Sequence, residues 1–191
     1  MSAVSERRER ERAQRHQMII TAARELAEAE GWEAVTTRRL ADRVEYSQPV
    51  LYSHFNGKDA IVSAVALEGF AELADHLRRA REAADDLGQA LRAVCGAYLD
   101  FASERPALYQ AMFVLPTELR FASDETPAPM RACFEEFVSC FRPENKRRGL
   151  FAEVFWSALH GITVLSESGR IPAAYQDERV DFLVSQFADA R

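Results

Sequence analysis

The stretch Thr36–Lys58 reads TTRRLADRVEYSQPVLYSHFNGK and predicts two short helices joined by a tight turn. The first helix begins at Thr36 or Thr37, because a threonine hydroxyl can accept a hydrogen bond from the free N–H groups of a first helical turn. Leu40 and Val44 follow at helical spacing and give this helix an apolar face. This stretch therefore indicates a small helical unit in the N-terminal part of the chain.

The second helix of the stretch is predicted to begin after Ser47, which is another capping candidate. Pro49 then falls in the first turn, where a missing N–H group costs nothing. Leu51 and Phe55 lie four residues apart and are expected to point inward, which leaves polar and aromatic groups on the other faces. A short helix of this kind suits the major groove of DNA, so the stretch predicts nucleic-acid binding.

The whole stretch resembles the helix-turn-helix of the TetR family of transcriptional repressors. The most diagnostic part is a Leu-Tyr-x-His-Phe-x-x-Lys segment, formed here by Leu51, Tyr52, His54, Phe55 and Lys58. The resemblance implies an all-α fold with an N-terminal three-helix DNA-binding domain. It also implies a C-terminal helical domain that binds an effector and dimerises.

Composition agrees with a helical chain, because 191 residues include only 8 Gly and 7 Pro and show no run of alternating β-branched residues. The net charge of −6, taken alone, argues against nucleic acid as a partner. Residues 1–60 hold 10 Lys/Arg and 10 Asp/Glu, whereas residues 61–191 hold 14 and 20. The charge therefore permits a DNA-binding domain at 1–57, followed by a more acidic domain at 58–191.

Eight side chains are predicted to contact DNA, from the resemblance and from their chemistry. Glutamine can pair with an adenine edge, tyrosine and histidine can donate to phosphate, and proline and valine can meet a thymine methyl group. The alternative is an ordinary exposed helix. The predicted contacts are Thr37, Arg38, Gln48, Pro49, Val50, Tyr52, His54 and Lys58.

Two positions depart from the family pattern. The family usually has glycine at the turn, where this chain has Glu45. Glycine favours a positive φ, so Glu45 predicts either a strained backbone or a different turn. Val50 stands where a hydroxyl residue is common, so one phosphate hydrogen bond is expected to be missing.

The first twelve residues carry charges of both signs and allow two interpretations. In one they form an arm whose arginines approach phosphates or the minor groove. In the other they form a frayed, solvated tail or a helix extension, in which neighbouring glutamates cancel the charge. The arginines concerned are Arg7, Arg8, Arg10, Arg12 and Arg15.

The C-terminal part carries a second, shorter resemblance. Residues 155–161, FWSALHG, resemble the Trp-x-x-x-His-Gly signature of one group of TetR-family C-terminal domains. By resemblance, the chain is expected to form a homodimer through about 147–167 and 175–188, and a wide apolar surface on both segments supports this. Eight side chains could line an effector pocket, although the alternative for each is a plain core residue. They are Tyr98, Phe101, Met112, Phe113, Phe134, Phe137, Trp156 and His160.

Other classes of function lack their motifs. The chain has no glycine-rich phosphate loop, no Gly-x-Ser-x-Gly and no His-Glu-x-x-His, so neither an enzyme nor a cofactor is expected. Three cysteines without Cys-x-x-Cys predict reduced, buried thiols and no metal site. A charged N-terminus and no long apolar run predict a cytoplasmic protein without a membrane partner.

These observations predict a ligand-responsive, DNA-binding transcriptional regulator. The preferred form is a repressor that binds a near-palindromic, double-stranded operator as a dimer and is released by an unknown small-molecule effector. The alternatives are an activator without small-molecule control and a helical scaffold or adaptor that has lost DNA binding.

Overall fold

The structure is a computed structural model that describes residues 3–187. Within these residues all regular structure is helical, which confirms the predicted all-α fold. Short 3₁₀ turns occur at Trp32–Ala34 and Ala173–Tyr175. The α-helices are α1 (Ala3–Glu30), α2 (Thr37–Arg43), α3 (Gln48–Tyr52), α4 (Lys58–Glu82), α5 (Leu87–Glu104), α6 (Pro106–Phe113), α7 (Ala128–Val138), α8 (Arg148–Glu167) and α9 (Gln176–Gln186).

The chain divides into two compact units. The first comprises Met1–Gly69 and Arg105–Arg120, and the second comprises Phe70–Glu104 and Phe121–Arg191. The division falls within α4, and it assigns α6 to the same unit as the N-terminal helices. The predicted functional boundary after residue 57 therefore lies inside the first unit, and it stays a prediction.

Helix α1 begins at Ala3, so residues 3–12 form a helix extension and not a frayed tail. An exposed ion pair between Arg7 and Glu11, with nitrogen and oxygen 2.8 Å apart, joins successive turns there. Further along, Ile19, Ala23 and Leu26 lie at helical spacing, are buried and form part of the core of the first unit.

Trp32 connects the two stretches of chain that form the first unit. Its side chain is buried, and its Nε1 donates a hydrogen bond to the carbonyl oxygen of Ala107 at 2.7 Å. The carboxylate of Glu28 accepts hydrogen bonds from the backbone N–H groups of Ala107 and Leu108 at 3.1 and 2.9 Å. These N–H groups lie in the first turn of α6, where they lack helical partners, so Glu28 satisfies them.

The second unit has an aromatic core. Tyr98 of α5 meets Phe137 of α7, with ring centroids 5.8 Å apart, and Phe137 meets Phe155 of α8 at 6.4 Å. A half-buried ion pair between Arg81 and Glu136 joins α4 to α7, with Nε and Oε2 2.9 Å apart. Packing and this pair together hold the helices of the second unit in place.

All three cysteines are buried and free. Burial raises the pKa of the Cys95, Cys133 and Cys140 thiols to about 12. These thiols are therefore protonated at neutral pH and are poor nucleophiles, which agrees with the expectation of reduced structural cysteines.

Helix α8 is strongly apolar, although only a small part of it is buried. Among the described residues it is the one helix long and apolar enough to cross a membrane, by length and composition only, with a mean hydropathy of 1.3. Only 22% of the 18-residue stretch of α8 that meets this criterion is buried. Leu150 and Val154 of α8 are about half exposed, and Phe182 of α9 is 68% exposed. The absence of a membrane partner stays a prediction.

Candidate nucleic-acid interface

Helix α2 begins as its threonine pair predicts. Thr36 is the N-cap residue, and its Oγ1 accepts a hydrogen bond from the backbone N–H of Arg39 at 3.2 Å. Leu40 and Ala41 are buried, which fixes α2 on the core of the first unit. Thr37 is half-buried and Arg38 is exposed at the start of this helix.

Two other arginines of α2 are bound within the protein. Arg39 makes a two-pronged ion pair with Glu30 of α1, with distances of 2.7 and 2.9 Å, and Arg43 pairs with Glu25 at 2.9 Å. The Arg39 pair lowers the pKa of Glu30 and raises that of Arg39, chiefly through the hydrogen bond. Arg38 makes no salt bridge within residues 3–187, so it is the α2 arginine best placed for an external anion.

The turn after α2 has the backbone conformation that glycine usually adopts, although Glu45 occupies the position. Glu45 has a φ of 58°, and the backbone N–H groups of Glu45 and Tyr46 bond to the carbonyl oxygens of Asp42 and Ala41 at 3.4 and 2.9 Å. This is a Schellman helix ending, in which the residue with positive φ is usually glycine. Of the two predicted outcomes at Glu45, a strained backbone and a different turn, the chain therefore adopts the strained backbone.

Helix α3 has a buried side and an exposed side. Leu51 of α3 and Phe55, three residues beyond its end, are buried, whereas Tyr52 is 53% exposed. Gln48 and Pro49 are also exposed, and Val50 is half-buried. Ser47 is the N-cap residue, as predicted, and its side chain makes no capping hydrogen bond. Pro49 lies in the first turn, as predicted.

His54 lies just beyond the exposed side of α3. It is half-buried, and its Nδ1 is buried without a hydrogen-bond partner. Burial lowers its pKa, and the positive charges of His16, Arg12 and Arg15 add to this effect. Because Nδ1 is buried, a contact between this ring and a phosphate must use Nε2.

Lys58 begins α4 and has an internal partner. Its Nζ donates a hydrogen bond to the carbonyl oxygen of Trp32 at 2.5 Å, and the side chain is half-buried. An ammonium group has three donors, so this bond leaves two for other acceptors. The N-terminus of α4 also favours a nearby anion.

The predicted effector-pocket residues fall in both units. In the second unit, Trp156 Nε1 donates to the hydroxyl of Tyr98 at 3.2 Å, and the rings of Phe134 and Trp156 lie 6.4 Å apart. His160 follows Trp156 by one helical turn and is half-buried, and burial lowers its pKa. The structure therefore brings Tyr98, Phe134, Phe137 and Trp156 together, with His160 on the same helix as Trp156. Phe101 is buried elsewhere in this unit, and Met112 and Phe113 belong to the first unit.

A surface groove of about 490 Å³ lies elsewhere in the second unit, between α4 and α5. None of the eight predicted pocket residues lines it. Its lining residues are His76, Arg79, Ala80, Ala93, Gly96, Ala97, Asp100 and Glu104. In the part of the chain that the structure describes, no group of three or more His, Cys, Asp or Glu side chains could hold a metal ion.

Comparison with known proteins identifies the family. The Tetracyclin repressor-like C-terminal domain model matches residues 91–187, just over half of the chain, and the N-terminal domain model of the tetR family of bacterial regulatory proteins matches residues 19–65. The chain belongs to the TetR family. It is therefore a DNA-binding transcriptional regulator, and residues 36–58 fall entirely within the N-terminal match.

Individual relatives of this TetR-family regulator agree. It is 32% identical to the HTH-type transcriptional regulator YobS of Bacillus subtilis, over 78% of this chain and 76% of that protein. It is 48% identical to the class C tetracycline repressor of Escherichia coli over a quarter of its length, which covers 22% of that repressor. A TetR variant from Acinetobacter baumannii, solved in complex with minocycline, has the same fold with a TM-score of 0.65 and 22% identity, and the match covers 90% and 94% of the two chains.

Sequence reasoning missed the internal partners of Arg39, Arg43 and Lys58. These side chains bond to residues 9, 18 and 26 positions away, at spacings that no helical or strand period signals. It also left two interpretations of residues 1–12 open, although Arg8, Arg12 and Arg15 continue the three- and four-residue spacing of the buried residues of α1.

Proposed function

We propose that this TetR-family regulator represses transcription by binding a near-palindromic operator as a homodimer, and that a small-molecule effector releases it. The supporting observation is the arrangement of α3 and the residues just after it. Leu51 and Phe55 are buried, while Gln48, Pro49 and Tyr52 are exposed. Such a helix can enter the major groove without giving up its packing. The protein acts in the cytoplasm and has no enzymatic activity.

The eight predicted DNA contacts divide by chemistry. Gln48 reads an adenine edge, and Pro49 and Val50 meet a thymine methyl group. Tyr52 and His54 donate to phosphates on one side of the groove. The remaining contacts to the DNA backbone come from Thr37, Arg38 and Lys58.

The dimer interface is proposed on about 147–167 and 175–188. Residue 188 lies outside the described residues, and the rest corresponds to α8 and α9. The exposed apolar side chains of these helices, including Val154 and Phe182, support this assignment, because an exposed apolar patch of this kind marks an interaction surface. A two-fold dimer would hold two copies of α3 about 34–36 Å apart, the spacing of successive major grooves.

The effector is proposed to act by shifting a conformational equilibrium. It must bind more tightly to a dimer whose α3 helices are wrongly spaced for the operator, since only a difference in affinity between two states can lower DNA binding. Tyr98, Phe134, Phe137 and Trp156 form the most concentrated part of the proposed pocket. The tetracycline repressors among the relatives support a small-molecule effector.

The test is binding of labelled DNA from the region upstream of the chain's own gene, at several salt concentrations. The wild type is expected to bind saturably with a steep negative dependence on salt, and Tyr52→Ala is expected to weaken binding. Phe121→Ala is a suitable control, because it removes another exposed ring from a loop of the second unit. Fragments selected from the whole genome extend the search to distant operators. Failure to enrich any fragment above random DNA would overturn the proposal.

A further inference from the structure

The N-terminal turns of α1 carry a row of arginines in register with the buried face of that helix. Farther along α1, Ile19, Ala22 and Leu26 are buried and lie three and four residues apart. The same spacing, extended toward the N-terminus, gives Arg15, Arg12 and Arg8. Because α1 is one continuous helix from Ala3, these arginines extend the face of α1 that packs on the rest of the unit.

His16 shows what this face meets. Its ring stacks on Phe55, with centroids 4.3 Å apart and planes 19° apart, and its centroid lies 6.2 Å from that of His54. His54 and Phe55 lie two and three residues beyond the end of α3. Arg12 is one helical turn before His16, and Arg15 is its neighbour. The row therefore starts beside the end of the DNA-reading helix and runs away from it along α1.

The charges of this row are not neutralised within the protein. Arg8, Arg12 and Arg15 are exposed and make no salt bridge among the described residues. By contrast, Arg7, on another face of α1, is paired with Glu11. Guanidinium groups close together repel one another unless an anion lies between them. The positive charges of Arg12 and Arg15 reach His54, which is one cause of its lowered pKa.

We propose that Arg8, Arg12 and Arg15 form a phosphate-binding row, which extends the DNA interface from the end of α3 to the DNA that flanks each half-site. This inference rests on the proposed function. The guanidinium group can bind a phosphate through two parallel hydrogen bonds. The span from Arg8 to His16 is about 12 Å at 1.5 Å per residue, or three to four base pairs at about 3.4 Å each.

The row binds phosphates and not bases, so it adds affinity without adding sequence preference. Its contribution is expected to be lost in high salt and on a duplex too short to reach it. The structure also supplies a matched control, because Arg10 lies two residues from Arg12 but points to the opposite side of α1. Arg10 is likewise exposed and makes no salt bridge among residues 3–187.

The experiment uses the full chain and a duplex that the wild type selects from genomic fragments. The duplex is prepared with ten flanking base pairs on each side and with no flanks. On the long duplex, Arg12→Ala is expected to reduce the slope of log K against log [salt] by about one per protomer, and the Arg12→Ala/Arg15→Ala pair by about two. Arg10→Ala is expected to leave the slope unchanged. On the short duplex all these variants are expected to match the wild type.

Several outcomes would overturn the inference. An equal loss in Arg10→Ala would show a general effect of net charge, and an unchanged slope in the double variant would show that the row does not touch DNA. If Tyr52→Ala weakens binding while the arginine variants do not, the inference fails and the proposed function stands. If the wild type selects no duplex, both fail. Circular dichroism melting of each variant checks that α1 remains folded.

Discussion

The backbone N–H of Tyr46 donates to the carbonyl oxygen of Ala41 at 2.9 Å and closes the turn of the helix-turn-helix around a left-handed Glu45. In that conformation a Cβ atom crowds the following carbonyl group, which costs roughly 1–2 kcal/mol for a residue other than glycine. The packing of α2 and α3 must therefore hold Glu45 in a backbone conformation that is unfavourable for glutamate.

Glu45→Gly is expected to stabilise the protein. Glycine relieves the crowding but loses more chain entropy on folding, an offset of about 0.4–1 kcal/mol, so the net gain in the free energy of unfolding is about 0.5–1 kcal/mol. Urea unfolding measures this gain. Glu45→Gln is the control, because it removes the charge and keeps the Cβ atom. If Gln stabilises as much as Gly, the charge and not the backbone conformation explains the effect.

Gly69 of α4 is expected to resist substitution although it lies in a helix. A Cβ atom there would come within 2.6 Å of Met112 Sδ and 2.8 Å of Leu108 Cδ1, and both side chains are buried. Alanine favours a helix by about 1 kcal/mol over glycine, but overpacking a core costs about 1–3 kcal/mol. Gly69→Ala should therefore lower the free energy of unfolding by about 1 kcal/mol.

Gly96 of α5 provides the comparison for Gly69. A Cβ atom at Gly96 has nothing within 4 Å, so Gly96→Ala is expected to gain about 0.5–1 kcal/mol from helix propensity alone. Thermal and urea unfolding of the two variants should move in opposite directions. Movement in the same direction would mean that Met112 and Leu108 make room easily, and that the contact at Gly69 is not tight.

Local signals predicted the helix-turn-helix, and long-range contacts escaped prediction. The hydroxyl cap at Thr36, the proline in the first turn of α3 and the buried Leu51 depend on residues within one or two turns, so the sequence displays them directly. The bond from Lys58 to the Trp32 carbonyl joins residues 26 apart, and the bond from Trp32 to Ala107 joins residues 75 apart. No sequence period encodes such pairs.

The division of the chain into two units was also not predictable from the sequence, because it depends on long-range contacts. The sequence places α6 after α5 and so suggests that it belongs to the C-terminal domain. The structure groups α6 with the N-terminal helices, because Glu28 and Trp32 bind its first turn. The candidate DNA contacts follow from the motif and stay predictions. The sequence could not delimit an effector pocket, because buried aromatic side chains look alike whether they line a cavity or fill a core.

His54 should make stability depend on pH. Its folded-state pKa is lowered below the ordinary value of 6.5, mainly by burial and further by His16, Arg12 and Arg15. The unfolded chain therefore takes up a proton first as the pH falls, so the contribution of neutral His54 is present above 6.5 and is lost as the pH falls through 6.5 toward the folded-state pKa. The melting temperature should fall less between pH 7.5 and 5.5 in His54→Gln than in the wild type.

His160 requires the same measurement, because burial lowers its pKa as well. Its protonation should therefore also lower the stability as the pH falls. His160→Gln should flatten the pH dependence independently, and the double variant should show the sum, since the two residues lie in different units. A wild-type pH dependence in His54→Gln would show that the His54 ring is open to solvent.

The proposed homodimer makes the last prediction. Val154 of α8 is 52% exposed and Val114, which follows α6, is 59% exposed. If α8 lies in the dimer interface, Val154→Asp buries an unpaired carboxylate there and should convert the dimer to monomer at micromolar concentration, because burial of an unpaired charge costs several kcal/mol. Val114→Asp makes the same chemical change at a similar exposure outside the proposed interface, and it should leave the dimer intact. Light scattering after size-exclusion chromatography measures both. A dimer that survives Val154→Asp would exclude this part of α8 from the interface, and the exposed apolar surface would then need another partner.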